Sequence, residues 1–122
     1  YYNGELVTNS PMNIGAINWG IPHSDESNGK PRCFWIGYSY NNERWLDADI
    51  AEVRIWNRVL SEEEINAKDH AYEVDPNSEG LVAYWKLNDG LDEIKDYSVN
   101  GNNATPSSTL TWVDVALPAK ED

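Results

Sequence analysis

DIAEVRIWNRVLSEEEI, residues Asp49 to Ile65, joins two periodicities in one run. Apolar residues alternate from Ile50 to Trp56, the period of a β-strand. Ser61 and Glu64 then stand at capping-box spacing, Ser61 offering its hydroxyl oxygen to the helix and Glu64 reaching back to the cap. The run reads as a strand passing straight into a capped helix, which is expected to end near His70. The strand period directs Val53 and Ile55 inward and puts Arg54 and Trp56 on the opposite face, where the helix is expected to cover Trp56. The Glu62-Glu63-Glu64 run is helix-start acid, favoured by the positive end of the helix dipole.

Upstream, Tyr1 to Val7 reads as two arms around Asn3-Gly4, the pair suited to a type I′ turn because both central residues need positive φ. The first arm has only two residues, so the chain is expected to be a fragment of a longer polypeptide. Ile14 to Ile21 is a strand or extended edge carrying Trp19, and Pro22 to Pro31 is a loop. Cys33 to Tyr40 is a strand interrupted by Gly37, followed by a polar connection with Trp45. His23 and His70 read as ordinary solvated residues, since two isolated histidines do not make a zinc site.

Downstream, Asp75 to Gly80 is a turn-rich joint. Gly80 to Gly90 reads as a strand ending in a turn. Ile94 to Ala104 is a short strand entering an Asn/Gly-rich bend, and Leu110 to Pro118 a terminal strand. Ala119 to Asp122 is a polar tail.

The chain has 9 Lys and Arg against 21 Asp and Glu, a net charge of -12. That field repels phosphate backbones and anionic membranes, which sets nucleic acid aside as a partner. No apolar run approaches the roughly 20 residues of a membrane helix. The single cysteine, Cys33, can form no internal disulfide. Six Trp and seven Tyr against one Phe favour rings with a polar handle, suited to sandwich cores and to stacking against sugars. Neither a GxSxG string, a P-loop nor a dinucleotide fingerprint occurs, and the chain is expected not to be an enzyme.

The Asp49–Ile65 run resembles the signature of laminin-G-like, concanavalin A-like jelly-roll domains. The Tyr2-Asn3-Gly4-Glu5-Leu6-Val7 hairpin, the Ile36-Gly37-Tyr38-Ser39 strand and the Gly80–Ala104 stretch are similar to other parts of that pattern. The order, with Gly80–Ala104 behind the signature and Leu110–Pro118 closing, resembles Bacteroidetes surface proteins that carry such a domain behind one of unknown function. The implied fold is all-β, an antiparallel jelly-roll β-sandwich with one short helix, here an incomplete domain. Residues 1–75 would hold the hairpin, core strands and helix, 76–118 the closing strands and 119–122 the tail. The strands missing upstream would come from the remaining N-terminal part of the parent protein or from a companion fragment.

Such domains often hold calcium, and by position the resemblance points to Glu52, Asp96 and Asn102 as ligands. Ala51 stands where the pattern has an Asp, which removes one carboxylate, and the other reading of Asp96 and Asn102 is that they cap turns. For a saccharide, an aromatic platform ringed by amides and Arg is required. Tyr38, Tyr40, Asn42, Arg44 and Trp45 have that composition, with Trp19 joining from the earlier strand; rim or core packing is the competing role for Tyr38 and Trp45. The expected function is a non-catalytic carbohydrate-binding module of a secreted or cell-surface bacterial protein that captures glycans. Two others stand beside it: a structural or adhesive protein-interaction domain, and an accessory domain of a glycoside hydrolase whose catalytic domain lies elsewhere.

Overall fold

A computed structural model of the chain describes residues 1–7, 24–25, 30–31, 34–37, 46–67, 69–88, 90 and 93–114. The chain divides into two compact units, Tyr1–Ala48 and Asp49–Asp122.

In the first unit the Asn3-Gly4 turn has the predicted backbone, with φ of 49° and 79°. It is closed by Tyr2 N–H donating to Glu5 O at 2.8 Å and Glu5 N–H to Tyr2 O at 3.0 Å. Between the segments read as strands, two short strands pair where a plain loop was expected: β1 (Ser24–Asp25) and β2 (Lys30–Pro31) are antiparallel, Ser24 opposite Pro31. Arms of two residues leave no alternation for a sequence reading to detect. The expected strand at Cys33–Tyr40 is described only over Phe34–Gly37, which is irregular and bends at Gly37, whose φ is 76°. Leu46 N–H donates to Gly37 O at 3.0 Å across that bend.

The second unit is built on β3 (Val53–Trp56), the helix α1 (Glu62–Ile65) and β4 (Leu81–Trp85). β3 and β4 pair antiparallel, with Val53 opposite Trp85, Arg54 opposite Tyr84 and Ile55 opposite Ala83; a bulge then shifts Trp56 to Leu81. The strand starts at Val53 and not at Ile50, because Glu52 takes a φ of 56°, which breaks the extended backbone. The capping box forms as read, Glu64 N–H donating to Ser61 Oγ at 3.1 Å and Ser61 N–H to Glu64 Oε2 at 2.8 Å. The helix nevertheless ends at Ile65, well before His70: Asn66 leaves helical geometry (φ -94°, ψ 4°) and successive turns follow, with no basic residue in the last turn to favour continuation.

β4 is the centre of the unit. Leu81, Ala83, Tyr84 and Trp85 are buried in near succession, joined by Ile94, Asp96 and Ser98 from the following segment. Burial of consecutive residues means that both faces of the strand are covered, so the alternation of a half-solvated strand is absent. Ile94 and Ala104 exchange two backbone hydrogen bonds of 2.9 and 2.8 Å as an isolated bridge, closing the intervening residues into a loop. The expected terminal strand is irregular over its described part, Leu110–Asp114, where Trp112 and Val113 are exposed. Strand, one short helix and antiparallel pairing thus make up the described secondary structure.

Candidate functional site

Among the described residues of the second unit lie two polar constellations and a cleft. The first is centred on Asp96, whose side chain is buried beside β4 (3% exposed). Its Oδ1 accepts from Tyr84 N–H at 2.9 Å and Ser98 N–H at 2.8 Å. Its Oδ2 accepts from Ser98 Oγ at 2.9 Å and Asn102 N–H at 2.7 Å. Burial pushes this carboxyl up, but the donors from Tyr84, Ser98 and Asn102 outweigh it and hold the group below the usual carboxylate range. Around it, Asn103 Oδ1 accepts from Asp96 N–H at 2.9 Å, and Trp85 Nε1–H donates to the Asn102 carbonyl at 2.9 Å.

The second constellation lies at the far end of the Tyr84 side chain, which is fully buried. The Tyr84 hydroxyl donates to Glu52 Oε2 at 2.6 Å, and the same oxygen is paired with Arg54 Nη2. Arg54 Nη1 donates to the His70 carbonyl at 2.5 Å, and its guanidinium stacks 4.9 Å from the Tyr84 ring. Burial, with Glu52 beside it, raises the Tyr84 hydroxyl pKa; burial and then Arg54 lower that of His70.

These arrangements decide how well the three calcium candidates suit the ion. A carboxylate offers about four lone-pair sites, and those of Asp96 face four N–H and O–H donors. Glu52 is committed to Arg54 and the Tyr84 hydroxyl, at the opposite end of that residue from Asp96. The Asn102 amide nitrogen donates to Val82 O at 3.0 Å and its backbone carbonyl accepts from Trp85. The set does not fit a calcium ion, which needs six to eight oxygens free to converge. No group of three or more His, Cys, Asp or Glu suited to a metal occurs among the described residues.

The cleft opens beside α1, about 300 Å³ in volume, between β3 and the turns that follow the helix. Its walls include Trp56, Arg58, Glu64 and, from the turns, Asp69, His70, Asp75 and Ser78. Arg58 lies 5.2 Å from the Trp56 ring and grips Glu64 through two bonds of 3.0 and 2.6 Å. The Arg58 hydrogen bonds, with Ser61 N–H, hold the Glu64 carboxyl at about 2, and the same pairing raises Arg58. Glu64 is therefore ionised and suited to accepting hydrogen bonds, not to delivering a proton as a glycosidase acid must. Acceptors with an indole and a guanidinium fit hydroxyl groups and disfavour an anion.

Of the residues singled out in the sequence, Glu52 stands apart from the Asp96 and Asn102 pair. Trp19, Tyr38, Tyr40, Asn42, Arg44 and Trp45 lie outside the described residues. Sequence patterning does not reveal the cleft: it marks Trp56 and His70 only as a packing and a solvated residue, yet both line it. The one local signal was the Arg58 to Glu64 spacing, which brings a cation onto the capping-box acid.

The laminin-G model of the concanavalin A-like lectin/glucanases superfamily matches residues 1–66, just over half of the chain. Neither a curated protein nor a solved structure matches it.

Proposed function

Because the chain belongs to the concanavalin A-like lectin/glucanases superfamily, we propose that it is a non-catalytic, lectin-like carbohydrate-binding module of a secreted or cell-surface bacterial protein engaged in glycan capture. The family match carries this reading. The cleft supports it, since Arg58, Trp56 and ionised Glu64 bring donor, ring and acceptor to one cleft. In this reading Trp19, Tyr38, Tyr40, Asn42, Arg44 and Trp45 form the aromatic platform. The sandwich is completed as a jelly roll by the rest of the parent protein or a companion fragment. No helix among the described residues is long and apolar enough to cross a membrane.

An adhesive or structural role is the second reading, which the same family match also accommodates. A glycan-array scan of the full chain within its parent protein separates the two. Saturable binding to defined saccharides, weakened at least tenfold by Trp45→Ala, is expected. Binding lost in Asp69→Asn but kept in Trp45→Ala would move the ligand to the cleft. Failure to bind any glycan would leave the adhesive role ahead.

A further inference from the structure

We infer that Asp96–Asn103 is a metal-free clasp that takes the place of a neighbouring strand along the outer edge of β4. β3 occupies one edge of β4. On the other, backbone groups of Val82 and Tyr84, with the Leu81 carbonyl at the strand's start, meet the clasp and mostly its side chains. Tyr84 N–H donates to Asp96 Oδ1 at 2.9 Å, and Tyr84 O accepts from Tyr97 N–H at 2.8 Å. The Val82 carbonyl accepts from Ser98 Oγ at 3.2 Å and from the side-chain amides of Asn100 and Asn102, each at 3.0 Å. A strand edge needs such partners, because unpaired N–H and C=O groups invite another chain. Ser and Asn side chains meet the need over a short span, and Asp96 ties their backbones together from within.

The clasp uses the same atoms that a calcium ion would use. A cation at Asp96 would have to displace inward-pointing N–H groups of Tyr84, Ser98 and Asn102, each of which directs positive charge at the carboxylate. The Tyr84 N–H would then be left in a buried place without an acceptor. Internal donors thus do the work of the ion, and the turn is complete without it. If the saccharide-binding reading holds, on which this extension rests, binding is indifferent to calcium.

The test is thermal unfolding of the full chain, followed by tryptophan fluorescence, in millimolar calcium chloride and again in chelator. The midpoint is expected to be the same in both. Asp96→Asn and Asn100→Ala should each lower it by several degrees, equally with calcium and with chelator. A calcium-dependent rise that Asp96→Asn abolishes would overturn the inference. A rise of equal size in wild type and variant would come from ions elsewhere on an acidic surface and would uphold it. Should Asp96→Asn fail to fold, terbium luminescence sensitised by Trp85 in the wild-type chain decides: a saturable signal displaced by calcium and lost in Asn102→Gly overturns the clasp, and its absence supports it. Absence of glycan binding in both conditions would defeat the lectin reading while leaving these measurements intact.

Discussion

Gly80→Ala tests the joint between the helix turns and β4. Gly80 has a φ of 81°, where an L-residue costs about 1–2 kcal/mol. An added Cβ would stand 2.9 Å from both Arg58 Cγ and Asn57 Oδ1. Arg58 does not yield freely, since its Nε donates to Glu79 O at 2.8 Å while its guanidinium holds Glu64; Asn57 Oδ1 is the end of a short exposed side chain that can turn aside. Forcing in a methyl group adds about 1 kcal/mol, the low end for overpacking, because the Arg58 side chain is about one-third exposed (34%). The total is about 2–3 kcal/mol. Urea unfolding, read by tryptophan fluorescence, should register that loss as a lower midpoint with unchanged slope. In an Arg58→Ala background the steric part disappears and the backbone part stays, so the same substitution should cost about 1–2 kcal/mol. A cost below about 0.5 kcal/mol, the ordinary scatter of surface changes, would refute the reasoning. So would an undiminished cost in the Arg58→Ala background.

Tyr84→Phe removes the hydroxyl bonded to Glu52 at 2.6 Å, and should cost about 1.5–3 kcal/mol in the same assay, as expected for a hydrogen bond to a charged group. Asp96→Ala leaves the buried Tyr84 and Ser98 N–H groups without their acceptor, and should cost at least about 2 kcal/mol, about 1–3 for each donor. The Asp96 pKa is lowered in the fold, so its stabilisation is fully present above the unfolded carboxylate pKa of about 3.9 and fades as pH falls through the lower folded value. Asp96→Asn should remove that component of the acid limb, measured as unfolding midpoint against pH. Ser61→Ala should cost about 1 kcal/mol or less by loss of the N-cap, with hydrogen exchange in α1 accelerated.

Local chemistry was readable wherever one or two residues fix the backbone. Asn3-Gly4 announced its turn, and Ser61 with Glu64 announced the helix start, because each motif satisfies its own hydrogen bonds. The ends of elements were not readable. Glu52 leaves the extended region to bring its carboxylate to Arg54 and Tyr84, partners that only the β3–β4 pairing supplies. Helix length depended on what followed Asn66, where turns took over. Asp96 was visible as a turn residue or a calcium ligand, and composition could not separate the roles, since carboxylate and amide oxygens serve both. The donors that separate them come from Tyr84, twelve residues earlier, and from the loop's own backbone. Calcium thus misfits for a reason that lies in tertiary contacts. The cleft was hidden likewise, because Trp56, His70 and Asp75 meet only after the chain has turned back on itself.

The family match ends at residue 66, whereas the strand that pairs with β3 begins at Leu81 and its clasp ends near Asn103. On a ribosome adding about 5–20 residues per second, Val-Arg-Ile-Trp would therefore wait roughly 2–10 seconds for the last of its supporting layer. During that interval the chain presents a half-made sheet to whatever surrounds it. A pause or truncation between residues 66 and 103 would prolong that exposure, and chaperone demand during synthesis should rise most steeply for stalls in that window.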